Sequence, residues 1–133
     1  MAGIEQEIKE LVGRTDQQPL GVYSTVETLA PEDTGDGDAA TADLSAGTIH
    51  LVDASADTDG TDLNLPDPTG PSKLITVKVN TTSTGDVNLV TPSDVDVEGG
   101  SNYKVPDGEG SVVEVVSDGD NYHVISEIDN SGT

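Results

Sequence analysis

The residues whose type and spacing come nearest to chemistry are aspartates. Asp57 and Asp59 stand in the run D-T-D-G (57–60), two carboxylates and a glycine in an order that is partly that of a calcium loop. The bidentate Glu that would close such a loop is missing, and Pro68 stands near its place. A second carboxylate-rich turn, D-T-G-D-G-D at 33–38, has no framework to fix it. Asp57 and Asp59 are therefore weak metal candidates, solvated acidic turns are the preferred reading, and no cofactor is expected beyond loosely held K, Na, Mg or Ca ions. His50 and His123 each fall in the middle of a β-like run, where a side chain facing water or a subunit contact is expected. No G-x-S-x-G accompanies them, there is no cysteine, and Gly99-Gly100 lacks the Lys and helix of a phosphate loop. Neither a catalytic triad nor a zinc site can be built, and the reading is not an enzyme.

The same carboxylates, counted together, say more than any pair of them. The 133 residues carry 26 Asp+Glu against 5 Lys+Arg, a net charge of -21, with no Cys, Trp or Phe and three Tyr. At low salt such a chain repels itself as it folds. In molar salt the Debye length is about 3 Å and the repulsion is screened. The composition points to a salt-rich milieu, and acids spread over nearly every loop fit that better than disorder does. No basic patch exists to neutralise phosphates, so nucleic acid is excluded as a partner. An acidic inhibitor that mimics DNA stays as an alternative. No stretch is apolar enough to span a membrane, and the N-terminal run MAGIEQEIKELVG has charges where a signal peptide needs an apolar region. Synthesis and assembly are expected inside the cell, without Sec-type export.

The elements that must carry these residues follow from periodicity. In residues 1–13, Ile4, Ile8, Leu11 and Val12 fall at i, i+4, i+7 and i+8, the stripe of a short amphipathic helix stopped by Gly13. Residues 14–47 read as an extended arm or linker, with a strand-like run at 21–29. Residues 48–133 read as the β domain. Its short β-branched runs, among them KLITVKVN (73–80), SVVEVVS (111–117) and YHVISE (122–127), are bounded by Gly, Pro, Asp, Ser or Asn. Asp118-Gly119 marks a tight hairpin. The predicted fold is mainly β: a short N-terminal helix and an extended arm, then an antiparallel β-sandwich or barrel-like domain. No internal repeat indicates a solenoid. A hydrophobic content of 32% makes a thin core, so self-association is expected. Its contact residues would be Ile4, Ile8 and Leu11 in the helix, Val22, Tyr23 and Val26 in the arm, and Tyr103 and Tyr122 as core or interface anchors.

One resemblance covers about half the chain. LNLPDPTGPSKLITVKV, VDVEGGSNYKV and SVVEVVSDGDNYHVIS (61 to 126) resemble a β-rich module that recurs in structural proteins of tailed viruses, in fibres and capsid decorations. Leu65, Pro66, Asp67, Ile75, Val77 and Lys78 match its strand start, and Gly99 its middle turn. Ser117, Asp118, Gly119, Asn121, Val124 and Ile125 match its closing hairpin, with Tyr122 where Trp is usual. The resemblance implies a virion protein, commonly trimeric. With the acidic composition it implies a virus of halophilic archaea and a capsid-decorating or turret-type component. Its partners would be itself, as a homotrimer, and the major capsid protein or another shell protein. A tail-fibre or spike protein that binds the host is the alternative.

Overall fold

The structure, a computed structural model, describes residues 25–55, 58–81 and 85–131. The amphipathic stretch with Ile4, Ile8 and Leu11, the arm residues Val22 and Tyr23, and Asp57 lie outside them. The described chain is mainly β, with nine strands: β1 (Thr25–Leu29), β2 (Ala40–Asp43), β3 (Thr48–Asp53), β4 (Thr61–Asn64), β5 (Leu74–Thr81), β6 (Val87–Val90), β7 (Asn102–Val105), β8 (Val112–Ser117) and β9 (Tyr122–Ile128). They form a five-stranded sheet, β1-β3-β5-β8-β9, and a four-stranded sheet, β2-β4-β6-β7.

The first six strands alternate between the two sheets, and β1 to β4 each pair in parallel with the strand two places on. Thr25 lies beside Thr48 and Thr48 beside Ile75 in one sheet. Ala40 lies beside Thr61 and Thr61 beside Val87 in the other. The chain therefore winds as a flattened coil, about two dozen residues per turn, within the period of solenoids. It then folds back. β7 runs antiparallel to β6, β8 antiparallel to β5, and β9 closes a hairpin on β8.

Three sequence-based expectations change here. The strands are not all antiparallel, because each of β1 to β6 returns to its sheet only after a visit to the other, which brings it back in the same direction. A coil is present although no repeat is legible. Residues 25–47 are not all arm, since β1 and β2 are the first turn of the coil, and the β domain has begun by Thr25. β2 (ATAD) escapes notice because its inward residues are small; Ala40 is buried against β4 without a β-branched run to announce it.

Packing explains why the turns stack. Alternation sends Thr48, His50 and Val52 of β3 inward, and likewise Ile75, Val77 and Val79 of β5. Val52, Ile75, Val77 and Val79 meet Leu63 and Leu89 from the facing sheet in one buried cluster. The ladder continues around the corners: Ala40 N–H donates to Gly60 O (2.9 Å) and Thr61 N–H to Asp86 O (2.7 Å). At that corner backbones touch, for a Cβ on Gly85 would lie 2.3 Å from the Gly60 nitrogen. Only glycine fits such an approach.

His50 is the one imidazole in this core, fully buried, and so it does not face water. Ser45 N–H donates to its Nε2 (3.0 Å), which makes Nε2 an acceptor. Nδ1 then carries the proton and donates to Thr76 O (3.0 Å), so the neutral ring is satisfied at both nitrogens. Burial lowers its pKa, against the smaller opposing pulls of the Thr76 carbonyl and the Glu27 charge. Protonation would place an N–H against the Ser45 N–H. The sign follows from linkage. Below the unfolded value of 6.5 the unfolded chain takes up a proton that the folded one resists, so stability is full above that pH and falls beneath it. Urea midpoints at constant molar salt should drop from pH 7.5 to 5.5, and His50→Gln should flatten that slope. An equal slope in the variant would assign the effect elsewhere.

Candidate functional site

The acidic turns do come together in part. Thr58 Oγ1 donates to Asp33 Oδ2 (2.9 Å), joining the 33–38 turn to the turn that holds Asp59. Asp33 Oδ1 also accepts Gly35 N–H (2.7 Å), and that bond, with the Thr58 hydroxyl, lowers its pKa. Among the described residues no three His, Asp or Glu side chains form a group that could hold a metal ion.

What the carboxylates do instead is fasten corners. Six aspartates accept the N–H two residues on: Asp33, Asp36, Asp53, Asp67, Asp118 and Asp129, from Gly35, Asp38, Ser55, Thr69, Asp120 and Ser131, at 2.7 to 3.0 Å. This is the Asx turn, in which a short carboxylate stands in for a backbone acceptor. The pKa of each is lowered, because each set of hydrogen bonds favours the ionised form. Asp118 is held furthest down. His123 Nε2 lies 2.6 Å from its Oδ2, and Asn121 and Asp120 N–H donate to Oδ1, both at 2.8 Å. His123 is thus an exposed partner of the hairpin turn. Gly119 alone of that turn has positive φ (100°); Asp118 contributes its carboxylate.

The tyrosines divide. Tyr122, of the two expectations for it, belongs to the core: it is 1% exposed, and its O–H donates to Pro66 O (2.7 Å). Burial pushes its pKa up to about 12. Tyr103 is half-buried and donates to Glu127 Oε1 (2.6 Å), a bond between the two sheets that also pushes its pKa up to about 12. Val26 is 63% exposed on β1, an edge of the five-stranded sheet.

Val26 is the first of a larger set. Cross-strand register lays out the outer face of the five-stranded sheet in rows. One reads Thr28, Leu51, Lys78, Val112, Ile128. The next reads Val26, Ile49, Thr76, Glu114, Ser126, and a shorter one Leu74, Val116, His123. Ile49, Leu51, Leu74, Val112 and Val116 are only partly buried, and none belongs to or packs against the core cluster. Ile128 and, at the register shift, Ile125 are each 53% exposed. In these rows the ionisable groups are Lys78, Glu114 and His123 alone. The outer rows of the other sheet are polar by contrast: Thr41, Asp62, Asn88, Lys104, and Asp43, Asn64, Val90, Asn102. Lys104 there lies 3.2 Å from Asp86 and 3.3 Å from Asp107.

Sequence reasoning missed this face apart from Val26. Its signal was present in SVVEVV, where Val112 and Val116 are apolar on one parity and Val113 and Val115 on the other, the mark of a strand with both faces away from water. A scan against known protein families finds no family model that matches the chain, and a search of curated proteins finds none similar to it. Chemically, the arrangement offers a largely aliphatic surface on one side, a polar surface on the other, and acidic turns between them. No helix among the described residues is long and apolar enough to cross a membrane.

Proposed function

We propose that this chain is a structural part of a virion, a capsid-decorating or turret-type protein of a virus that assembles in molar salt inside its halophilic host. The observation that carries this reading is the separation of polarity between the two outer sheet faces. Acids crowd the loops and two of them, Asp43 and Asp62, stand in the polar outer rows of the smaller sheet, while the larger sheet turns an aliphatic face outward with one Lys and one Glu in its longer rows. That is the build of a part in an assembly, wet towards solvent and dry towards a neighbour. The resemblance to tailed-virus β-modules adds to it, since its two best-matched segments meet in space through Tyr122 O–H and Pro66 O. In this reading residues 1–24 attach to the shell protein, the β body projects, and the chain works as a homotrimer whose several attachments add avidity.

The test is co-sedimentation with undecorated shells of a haloarchaeal tailed virus in about 3 M KCl. The full chain should pellet with the shells to a saturating occupancy, and a chain shortened to residues 25–133 should lose most of that binding. A full chain that stays in the supernatant at every concentration would refute the reading.

A further inference from the structure

We infer that the aliphatic outer face of the five-stranded sheet is covered by another copy of this same chain. The inference concerns the isolated protein and stands whether or not the chain decorates a shell.

The first argument is electrostatic. A molecule of net charge -21 meets its own copy against repulsion wherever carboxylates face carboxylates. The outer rows of the larger sheet are where it does so least, because their ionisable groups are Lys78, Glu114 and His123, with Asp53 at the margin beyond Leu51. Lys78 and Glu114 lie on neighbouring strands, one residue row apart. Two such faces related by a twofold axis between them set the lysine of one near the glutamate of the other, so the face is complementary to itself. An acidic partner of another kind has no such match, and a basic one would choose the polar sheet, where the acids are.

The second argument is size. Five strands at about 4.8 Å and three rows along the strands give roughly 500 Å² in projection, more once side-chain relief is counted. Standard interfaces bury about 800 Å² per partner, so the face belongs to a modest, reversible association. Molar salt strengthens it, both by screening the flanking carboxylates and by favouring apolar burial.

Sedimentation velocity of the full chain in about 3 M KCl, over a hundredfold range of concentration, tests this. The wild type should show a homo-oligomer, and Leu51→Glu should weaken association at least ~100-fold while leaving the far-UV circular dichroism unchanged. A second readout uses the absence of cysteine: Val116→Cys puts a single thiol on the face, and its labelling should slow as the oligomer forms. Pairing that Leu51→Glu abolishes, whether of single chains or of trimers, supports the inference; a trimer that forms no such pairs overturns it, because a threefold contact does not set one face against itself. A monomer at every concentration overturns it, as does an oligomer that Leu51→Glu and Val112→Glu leave intact. Thiol protection independent of concentration also overturns it, because the chain's own residues would then be the cover.

Discussion

Transferred from about 3 M to about 0.1 M KCl, this protein should lose most or all of its stability, with its melting temperature falling by tens of degrees. The magnitude follows from the charge. With 21 surplus negative charges on a body of roughly 15 Å radius, self-repulsion at 0.1 M exceeds that of the expanded chain by on the order of 10 kcal/mol. At molar salt the excess falls to a few kcal/mol. The difference matches the whole stability of an ordinary domain, about 5–15 kcal/mol, so charge alone decides whether the native state is populated. The ion pairs do not offset it: Lys104 with Asp86 and Asp107 is exposed and contributes little. Scanning calorimetry at steps of KCl between the two limits measures the effect. Sucrose should not replace the salt, because it screens nothing. A melting temperature that stays flat across the series would remove the salt-adaptation reading.

The second large effect is expected at Tyr122. Among the described residues it is the largest fully buried side chain. Val97 bridges to it, Tyr122 N–H donates to Asp96 O (2.8 Å), and Glu98 N–H donates to Tyr122 O (3.3 Å). The residue thus pins the 91–101 loop to the β8–β9 hairpin, while its hydroxyl ties the hairpin to Pro66. Tyr122→Ala should cost about 3–5 kcal/mol, the cavity adding to the lost transfer energy. Tyr122→Phe removes only the hydroxyl and should cost about 1 kcal/mol. Urea melts in molar salt separate the two. A cost under about 1 kcal/mol for the alanine variant would mean that the core does not close around this ring.

How far the fold was legible depends on how each strand advertises itself. β5 and β8 stand out because β-branched residues recur at every second position (Ile75, Val77, Val79; Val113, Val115), β3 and β9 because they are short apolar runs bounded by turn residues, and the hairpin between β8 and β9 is local. The parallel pairing was hidden, since a strand's partner lies about two dozen residues away and the coil's turns differ in composition. A trace survives in register: A-T-A-D-L at 40–44, T-D-L-N-L at 61–65 and V-N-L-V at 87–90 align with Ala42, Leu63 and Leu89 in the same inward place. Thr and Asp replace the larger residues that would have made the repeat visible. His50 shows a different limit. Its strand position was readable, but its acceptance into the core depends on Ser45 and Thr76 arriving from elsewhere to satisfy both nitrogens. The candidate surface was half legible. Val26 stood in a contact list, whereas the rest of the face needed the register that places five strands side by side.

The corner aspartates bear on how such a protein could change habitat. The chain holds 17 Asp against 9 Glu, and glutamate is one methylene too long to fold back onto the N–H two residues on. Six of the aspartates are thereby committed to geometry, and their charge is incidental to the solvent. A freshwater descendant would have to shed its negative surplus elsewhere, from strand faces and the remaining loop acids, and keep those six, or replace them with asparagine. On the salt-adapted reading the route out of brine is therefore narrower than the tally of acids suggests, and the order in which carboxylates can be lost is written into those turns.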